Sequence, residues 1–546
     1  MVEALPVGYY LDNFSYVLDF VTTQYADLLT PEEAAFAGSF EALPLDARRL
    51  YVRLCSRKGP LFRDDKLNYA EIDTQCAIEA LAHADFVDFA TDAGIADLLA
   101  LLTRAELLAF RSCDADKSAS RGELLEQLAG TVEPEFVHAR TPFAILRPLY
   151  LDILRNYKLL FFGNVHQDLT EFVLRDLGIS PYESYVIHPE DRFFDDRAVL
   201  EETLKLYELG ERAYIAVEEC DIDGMNEVVA SIDEPLDRAL KRKAAKVRNR
   251  IARQFERLDM ADRALELYRL SDVAPSRERQ ARILDRQGLP AEAVARCREI
   301  LENPENEAEY EFAVSFARRV LGRRGGEDCR DLPEIRPDDF PTREIAVMPD
   351  PSVNVEELAR TWFEVNGHRA WYVENSLFPG LFGLAFWDII FMPRKGVFFN
   401  PFQRGPSDLF APEFREAVAE AIDARMDELG DAARFSERVI DGFRSKIPTA
   451  NHFVNWNVLT EPLLLAAFER IPVAHMLAVF DRLLRDLKSN RSGFPDLVVF
   501  PDHGGYLLAE VKGPGDSLQA NQKRWLRFFL EQGIAAEVVN VGWVGA

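Results

Sequence analysis

Cysteine is scarce in this chain. There are six cysteines among 546 residues, and none forms a CxxC pair. Zinc ribbons need such pairs and disulfide-stapled secreted domains need dense cysteines, so the composition argues against both classes. No apolar run approaches the roughly 18 residues of a membrane span, and the start, Met1-Val2-Glu3-Ala4, does not resemble a signal peptide. We therefore expect a cytoplasmic protein in a reducing environment, without a membrane partner.

Positive charge is also in short supply, because 64 Lys and Arg face 92 Asp and Glu, for a net charge of −28. Such a surface repels nucleic acid on average, so any DNA binding must come from a local basic patch or a metal ion. One segment departs from the average, since residues 238–257 hold nine positive charges and one acidic residue, Glu256. On a helix, five of these cations share a face that could follow DNA phosphates: Lys243, Lys246, Arg250, Arg253 and Arg257. The alternative is a solvated helix whose charges pair with acidic neighbours.

The alternation of helical periodicity and breaks predicts several domains, as the length of 546 residues also does. Five proline residues after Gly325-Gly326 stop helices and inner strands, so they mark a linker. We expect an N-terminal helical domain, a small two-helix module, a second helical domain, this linker and an α/β region. Their predicted limits are 1–90, 91–135, 136–325, 326–350 and 351–546.

Two of these segments resemble known modules. Within 91–135, two short helices flank a polar loop that holds Lys117 and Arg121, which resembles a SAP module, a small DNA-binding motif. A plain helical hairpin is the alternative. Ser120 and Glu123 have the spacing of a capping box. Between 260 and 320, paired helices with small residues at their crossings resemble a short array of tetratricopeptide repeats.

The C-terminal part predicts a strand over 493–500, a second strand over 506–512, a helix over 520–532 and a third strand over 536–544. The first two strands bring Asp496 close to Glu510, and Glu510 and Lys512 point to one face because they are two residues apart. Burying these charges is costly. A magnesium ion held by the carboxylates would offset that cost, and the lysine could then activate water. The alternative is a surface salt bridge.

These residues carry a resemblance to a known family. Phe494-Pro495-Asp496 followed by Glu510-Val511-Lys512 resembles the PD-(D/E)XK nuclease signature, and the residues after Lys512, including Gln522 and Trp525, resemble its VRR-NUC branch. Upstream, several segments resemble the Fanconi-associated nuclease family in the same order: 50–54, 57–58, 66–69, 374–376, 383–384 and 387–392. The resemblance covers nearly the whole chain and identifies it as a bacterial-type member of this family.

The resemblance implies a Mg²⁺- or Mn²⁺-dependent hydrolase that cuts DNA near 5′ flaps, acts as a 5′-to-3′ exonuclease and serves interstrand crosslink repair. It implies a mostly α-helical N-terminal two-thirds followed by a restriction-endonuclease-like α/β core, at about 450–546. Carried over by position, Lys512 is the catalytic lysine, acting with Glu510 and Asp496. Gln522 is a candidate helper residue. The implied metal ligands are Glu374, Asp496, Glu510 and the carbonyl of Val511.

Glu374 lies far upstream of the other implied ligands. The segment that follows it, 376–391, is apolar at helical spacing, so we expect a helix that packs against the sheet and is capped by Ser376. Glu374 would then precede the helix, where the helix dipole favours a carboxylate. The alternative is that Glu374 only stabilises this helix end.

The chain also departs from the family pattern. Without CxxC pairs it has no ubiquitin-binding zinc finger, and a basic pocket for a 5′-phosphate is not clearly matched, because the sequence reads Glu309-Tyr310-Glu311 and has Asn521 before Gln522. We expect a monomer that acts on branched or 5′-flap DNA. The alternatives are a dimeric Holliday-junction resolvase and a non-enzymatic helical-repeat scaffold for DNA repair.

Overall fold

The computed structural model of the chain describes residues 6–57, 59–110, 119–167, 181–235, 237–271, 273–323, 329, 331–334 and 338–544. They fall into two compact units. The first lies within Met1–Ser180 and Ile187–Arg197, and the second within Pro181–Val186 and Ala198–Ala546. Helices dominate, and the second unit ends in a domain that contains a β-sheet, which confirms the predicted fold class.

The first unit combines helices with a small antiparallel sheet. Its strands are β1 (Phe62–Arg63), β2 (Val87–Phe89) and β3 (Ile145–Pro148). They lie in the order β1-β3-β2. Aromatic rings fill much of its core, where the rings of Tyr51 and Phe86 meet edge to face with centroids 5.1 Å apart. Its α-helices are Tyr9–Gln24, Pro31–Glu41, Leu45–Cys55, Thr74–His83, Ile95–Ala100, Arg104–Ala109, Arg121–Ala129, Pro134–His138 and Leu151–Phe162.

The segment that resembles a SAP module contains the helices Ile95–Ala100, Arg104–Ala109 and Arg121–Ala129. The predicted capping box is present, since the Ser120 side chain accepts from the Glu123 backbone N–H and Glu123 accepts in return from the Ser120 N–H. These short helices enclose a core of buried leucines rather than forming an isolated hairpin.

The second unit contains a helical array in which each helix from Arg238–Arg257 to Glu307–Gly322 packs against the next along the chain. Buried alanines at the crossings, such as Ala264, Ala281 and Ala293, let the helices approach closely. The arrangement resembles the predicted repeat packing, and the assignment to a repeat family remains a prediction. The helices are Arg197–Glu218, Ile222–Ala230, Arg238–Arg257, Ala261–Arg269, Ser276–Arg286, Pro290–Glu302 and Glu307–Gly322.

A five-stranded mixed sheet follows. Its strands lie in the order β4 (Thr342–Val347), β8 (Ala536–Trp543), β7 (Leu507–Lys512), β6 (Leu497–Pro501) and β5 (His368–Tyr372). Strands β6 and β7 pair antiparallel, as do β5 and β6, whereas β8 lies parallel to both β7 and β4. The three strands predicted near the C-terminus correspond to β6, β7 and β8, although β6 begins at Leu497 and not at Gly493 as predicted.

Strand β4 lies inside the proline-rich segment for which the sequence predicted a linker. It is an edge strand, so its outer side needs no hydrogen-bond donors and tolerates neighbouring prolines. Pro341, just before it, accepts a 2.8 Å hydrogen bond from the Val538 N–H of β8 through its carbonyl. Residues 342–347 therefore belong to the sheet, although proline density alone suggested an extended connection.

The described part of the C-terminal region contains ten helices, of which Val355–Val365 and Ala520–Glu531 pack against the sheet. Helix Ala520–Glu531 matches the predicted helix. The predicted helix over 376–391 is split in two at Phe386, and all nine residues of its first part are buried. The helices are Val355–Val365, Leu377–Ala385, Trp387–Ile390, Pro412–Ala417, Ala419–Leu429, Ala432–Lys446, Glu461–Arg470, Val473–Arg485, Leu487–Asn490 and Ala520–Glu531.

Within the described residues, no single helix is long and apolar enough to cross a membrane. Glu461–Arg470 and Val473–Arg485 meet that test only when taken together, and the pair is bent by 110°.

Candidate active site

The β6–β7 pair brings the two predicted carboxylates together. The register places Leu497 opposite Ala509, so Asp496, immediately before β6, lies beside Glu510 on β7. Asp496 is 6% exposed and Glu510 is fully buried. The Oδ2 atom of Asp496 accepts a 2.8 Å hydrogen bond from the N–H of Val511, which fixes this carboxylate against the neighbouring strand.

Glu510 has unusual surroundings for a buried carboxylate. Its Oε1 atom lies 2.8 Å from Nζ of Lys512 in an ion pair. Among the described residues, neither of its oxygens has a hydrogen-bond partner of good geometry. A buried carboxylate without donors costs free energy, and an ion or ligand at this position would remove that cost.

The carboxyl groups influence each other's protonation. Burial raises the pKa of Glu510 above its ordinary value, and the Asp496 and Glu374 carboxylates raise it further, while Lys512 opposes the rise. Burial also raises the pKa of Asp496, against the lowering effect of the Val511 N–H. Two like charges in one buried site disfavour each other, and a cation between them would reverse both shifts.

Glu374 lies between β5 and helix Leu377–Ala385, and it is exposed where Asp496 and Glu510 are buried. Both of its oxygens accept hydrogen bonds: Oε2 from the Tyr372 hydroxyl at 2.5 Å, and Oε1 from the Asn375 amide at 3.2 Å. The carboxylate is thus held by its own chain neighbours at the edge of the site.

Asn375 connects Glu374 to the strand that carries Asp496. Its Oδ1 atom accepts hydrogen bonds from the backbone N–H groups of Gly493 and Phe494, at 2.7 and 3.1 Å. Its backbone is left-handed, with φ +50°, a conformation that asparagine tolerates better than most residues. The predicted cap by Ser376 is wrong, because the Ser376 hydroxyl donates to the Glu374 carbonyl at 2.9 Å and makes no cap to the helix.

Gln522 takes part in a helix-start motif. Its Oε1 atom accepts a 2.8 Å hydrogen bond from the Gln519 N–H, and the two glutamines form a reciprocal capping box at the start of helix Ala520–Glu531. Its proposed helper role therefore requires this bond to open or to be shared.

The cations proposed to bind DNA have different surroundings on helix Arg238–Arg257. Lys243 lies 3.7 Å from the ring centroid of Tyr207, and burial lowers its pKa to about 8. Arg250 donates to the Gly210 carbonyl at 3.3 Å, and Arg253 pairs with Glu256 at 3.0 Å. Lys246 is exposed. The predicted basic face is thus in part a packing surface against helix Arg197–Glu218.

Of the two candidate DNA-binding residues in the SAP-like segment, the structure describes Arg121. Arg121 donates to the Ala100 carbonyl at 2.7 Å, so its guanidinium satisfies the C-terminal end of a neighbouring helix. Lys117 lies outside the described residues.

The acidic pair at 309 and 311 is bound to arginines. Glu309 pairs with the buried Arg277 at 2.5 Å. Glu311 pairs with Arg527 at 2.6 Å and with Arg524 at 3.4 Å, both on helix Ala520–Glu531. These ion pairs neutralise the charges of the three arginines.

Sequence reasoning missed Tyr372 and Asn375. Tyr372 precedes Glu374 by two residues, and in an extended segment that spacing puts both side chains on one side, which was a usable signal. No sequence pattern pointed to the bonds between Asn375 and the residues before Asp496, since 118 residues separate Asn375 from Gly493.

Known proteins are similar to this chain in sequence and in fold. Two family models match the chain: "FAN1, HTH domain" over residues 8–88 and "VRR-NUC domain" over residues 432–543. The Fanconi-associated nuclease 1 homolog of Pseudomonas aeruginosa is 36% identical across 98% of this chain and 96% of its own length. The chain belongs to the Fanconi-associated nuclease family. The family homolog of Arabidopsis thaliana is 26% identical across 97% of this chain and 66% of its own length.

Solved structures of the family show the same fold. The crystal structure of paFAN1 bound to DNA with a 2nt 5′ flap and a gap has a TM-score of 0.88 and 34% identity, covering 99% of both chains. The complex of paFAN1 with a 1nt 5′ flap has a TM-score of 0.86. As a member of the family with a VRR-NUC domain, this chain is a DNA nuclease, and nucleases of this type use a divalent metal cofactor.

The residues present fit such a cofactor. Glu510 has buried oxygens without good hydrogen-bond donors, and Asp496 has one oxygen outside its bond to Val511. Carboxylate oxygens are the ligands that hard divalent cations prefer. Among the described residues, no three His, Cys, Asp or Glu side chains stand close enough to hold an ion by themselves. Two carboxylates are therefore the core of the candidate metal site.

Proposed function

We propose that this nuclease hydrolyses phosphodiester bonds at 5′ flaps and other branched DNA, also acts as a 5′-to-3′ exonuclease, and serves interstrand crosslink repair. The observation that carries the proposal is the buried Asp496–Glu510 pair with Lys512 at 2.8 Å. Full-length similarity to paFAN1, which was crystallised with 5′-flap DNA, supports the choice of substrate.

We propose Mg²⁺ or Mn²⁺ as the cofactor, held by Asp496 and Glu510, with Glu374 and the Val511 carbonyl as further ligands. Glu374 has to move toward the Asp496–Glu510 pair to bind the ion, because the three carboxylates do not form a ready ligand set among the described residues. When bound, the cation stabilises negative charge on the scissile phosphate and helps to ionise the attacking water. Neighbouring groups of the chain hold the proposed ligands in place. The Val511 N–H fixes Asp496, and Tyr372 and Asn375 hold the Glu374 carboxylate.

Lys512 is the proposed catalytic lysine. Its ammonium is mostly buried and pairs with Glu510, so its Nζ atom stays beside the reacting groups. From there it orients the attacking water and stabilises charge that develops during cleavage. Gln522 is the proposed helper residue, on the helix that follows the core.

DNA affinity is assigned to Lys243, Lys246, Arg250 and Arg253 of helix Arg238–Arg257, and to Lys117 and Arg121 of the SAP-like segment. Lys246 fits this role best among those described, because it is exposed and carries no bond that would have to break. We propose that the protein acts as a monomer, in contrast to a resolvase, which needs two active sites.

A substrate panel tests this function. Flap, nicked, blunt and four-way DNA, labelled at the 5′ or the 3′ end, are incubated with Mg²⁺ or Mn²⁺, and Lys512→Ala serves as the inactive control. We expect cleavage near the 5′-flap junction and stepwise 5′-to-3′ products. Symmetric cutting of the four-way junction by a sedimenting dimer would support the resolvase instead.

A further inference from the structure

Seven arginines line a large cavity in the second unit. Its volume is about 1040 Å³, and helix Arg238–Arg257 forms one wall. Among the described residues, eight cations line it, seven Arg and one Lys, against four glutamates. In a chain with a net charge of −28, such an excess of positive charge in one concave place is unusual. Converging field lines there attract anions.

Part of this charge is already matched within the protein. Arg238 and Arg242 pair with Glu413 at 3.0 and 2.8 Å. Arg277 pairs with Glu309, Arg296 with Glu299 and Arg485 with Asp481, so five of the eight lining cations are matched. These bonds fix arginines around the cavity. Helix Arg238–Arg257 therefore has a second set of cations, which line the cavity and are not part of its predicted basic face.

Three other lining cations have no carboxylate within ion-pair distance among the described residues: Lys241, Arg248 and Arg269. The Nε atom of Arg248 is buried and has no hydrogen-bond partner there. Burial also lowers the pKa of Arg248, which shows that its charge is poorly solvated. An anion in the cavity would stabilise all three side chains.

The size of the cavity and the type of its cations indicate the anion. Binding pockets for whole organic ligands occupy roughly 300–1,000 Å³, so this cavity has room for several phosphate groups. Arginine presents a planar fork that binds phosphate oxygens in pairs. Several phosphates in a row are what a DNA strand offers.

We infer that this arginine cavity binds the phosphate backbone of a DNA strand, as a contact site separate from the Asp496–Glu510 centre. The inference rests on the proposed function, because it takes DNA as the substrate. It adds a site that does not include Lys246, and it assigns DNA affinity to Lys241, Arg248 and Arg269.

The test is the double variant Lys241→Gln/Arg269→Gln, in which both changed residues are exposed and are expected to leave folding intact. Binding of fluorescent 5′-flap DNA is measured by anisotropy without divalent cations across a salt series. We expect weaker binding and a log–log salt slope that is flatter by roughly 0.7–0.9 for each phosphate that is no longer bound, hence about 1.4–1.8 in total. Arg248→Gln should weaken binding further.

The matched control is Arg212→Gln/Arg263→Gln, which removes the same charge from neighbouring helices outside the cavity. It should leave affinity and salt slope unchanged. If the cavity variant also binds DNA with the wild-type affinity and slope, the inference is overturned. It is overturned equally if pyrophosphate raises the melting temperature of the wild type but not of the variant while DNA binding stays unchanged, since the cavity then holds only a small anion.

The same measurements separate this inference from the proposed function. Anisotropy without divalent cations does not depend on cleavage, so failure of the active-site assignment would leave the binding result intact. In cleavage assays, the cavity variant should raise KM more than it lowers kcat, whereas Lys512→Ala should lower kcat.

Discussion

The Oδ1 atom of Asn375 accepts a 2.7 Å hydrogen bond from the N–H of Gly493, a residue 118 positions later in the chain. Gly493 has φ +92°, and a Cβ there would lie 2.9 Å from atoms of Asn521, so this turn needs glycine. The bond ties the loop that carries Glu374 to the turn that leads into Asp496. Asn375 is therefore a positioning residue for the proposed metal site.

Asn375→Gly keeps the left-handed backbone accessible and removes both bonds to the turn and the bond to Glu374. Orienting groups of this kind typically change metal affinity by about 10–100-fold. We expect a loss of that order in Mn²⁺ affinity by calorimetry, with cleavage reduced in parallel. Asp259→Gly, at another left-handed position with φ +59°, is the matched control and should leave metal affinity unchanged. Wild-type Mn²⁺ affinity in Asn375→Gly would contradict the positioning role.

Removing the central groups should abolish most cleavage. Asp496→Ala and Glu510→Ala delete proposed metal ligands, and Lys512→Ala deletes the charge held 2.8 Å from Glu510. Losses of about 10²-fold or more per group are typical for electrostatic catalysis. Initial rates on 5′-flap DNA measure the effect, and DNA binding by Lys512→Ala should survive. Wild-type cleavage by Asp496→Ala would show that the assigned site is wrong.

Metal affinity should rise with pH. Because the pKa values of Glu510 and Asp496 are raised in the metal-free fold, their contribution to stability is present at acid pH and is lost as the pH rises through the folded-state pKa values. A divalent cation binds the ionised pair and releases its protons. Calorimetric titrations of Mn²⁺ in buffers of different ionisation enthalpy should detect this release, which Glu510→Gln should reduce. Equal heats of Mn²⁺ binding in all buffers would show that no protons are released and would contradict this prediction.

Glu374→Gln tests whether the upstream carboxylate is a ligand or only serves the helix end. As a ligand, its loss should leave folding nearly normal and abolish most Mg²⁺-dependent cleavage, with partial recovery in Mn²⁺. In an end-stabilising role, the variant should lose about a kcal/mol or less of stability and keep its activity. Thermal melting and flap cleavage are measured on the same preparation. A folded variant with full Mg²⁺-dependent activity would remove Glu374 from the site.

The predicted basic face gives a separate binding test. Replacing Lys246, Arg250 and Arg253 by Ala should weaken flap and duplex DNA alike and flatten the salt slope by roughly 0.9 for each phosphate that the variant no longer binds. Arg250 and Arg253 also bond to Gly210 and Glu256, so melting temperatures must accompany the affinities. An unchanged affinity and salt slope would mean that this face does not contact DNA and is only the solvated or packed side of the helix.

Local pattern in the sequence was enough to predict the hairpin of β6 and β7, which carries the proposed catalytic residues. Alternating and continuous apolar residues predicted β6 and β7, and the spacing of Glu510 and Lys512 placed both on one face, because side chains of a strand alternate with period two. The capping box at Ser120 and Glu123 was equally predictable, because its bonds span three residues. The negative net charge also predicted that any DNA binding comes from local basic patches.

The tertiary structure decided what distant residues do to one another. The sequence could not show that Glu510 would be fully buried without good hydrogen-bond donors, or that Asn375 would bond to Gly493. It predicted one cationic face on helix Arg238–Arg257, whereas packing buries Lys243 on Tyr207 and turns Lys241 and Arg248 into a cavity. Composition and spacing determine which charges a segment carries. Only the packing of other helices against it decides which of them are neutralised, buried or left to bind an anion, because solvation and pairing depend on neighbours in space.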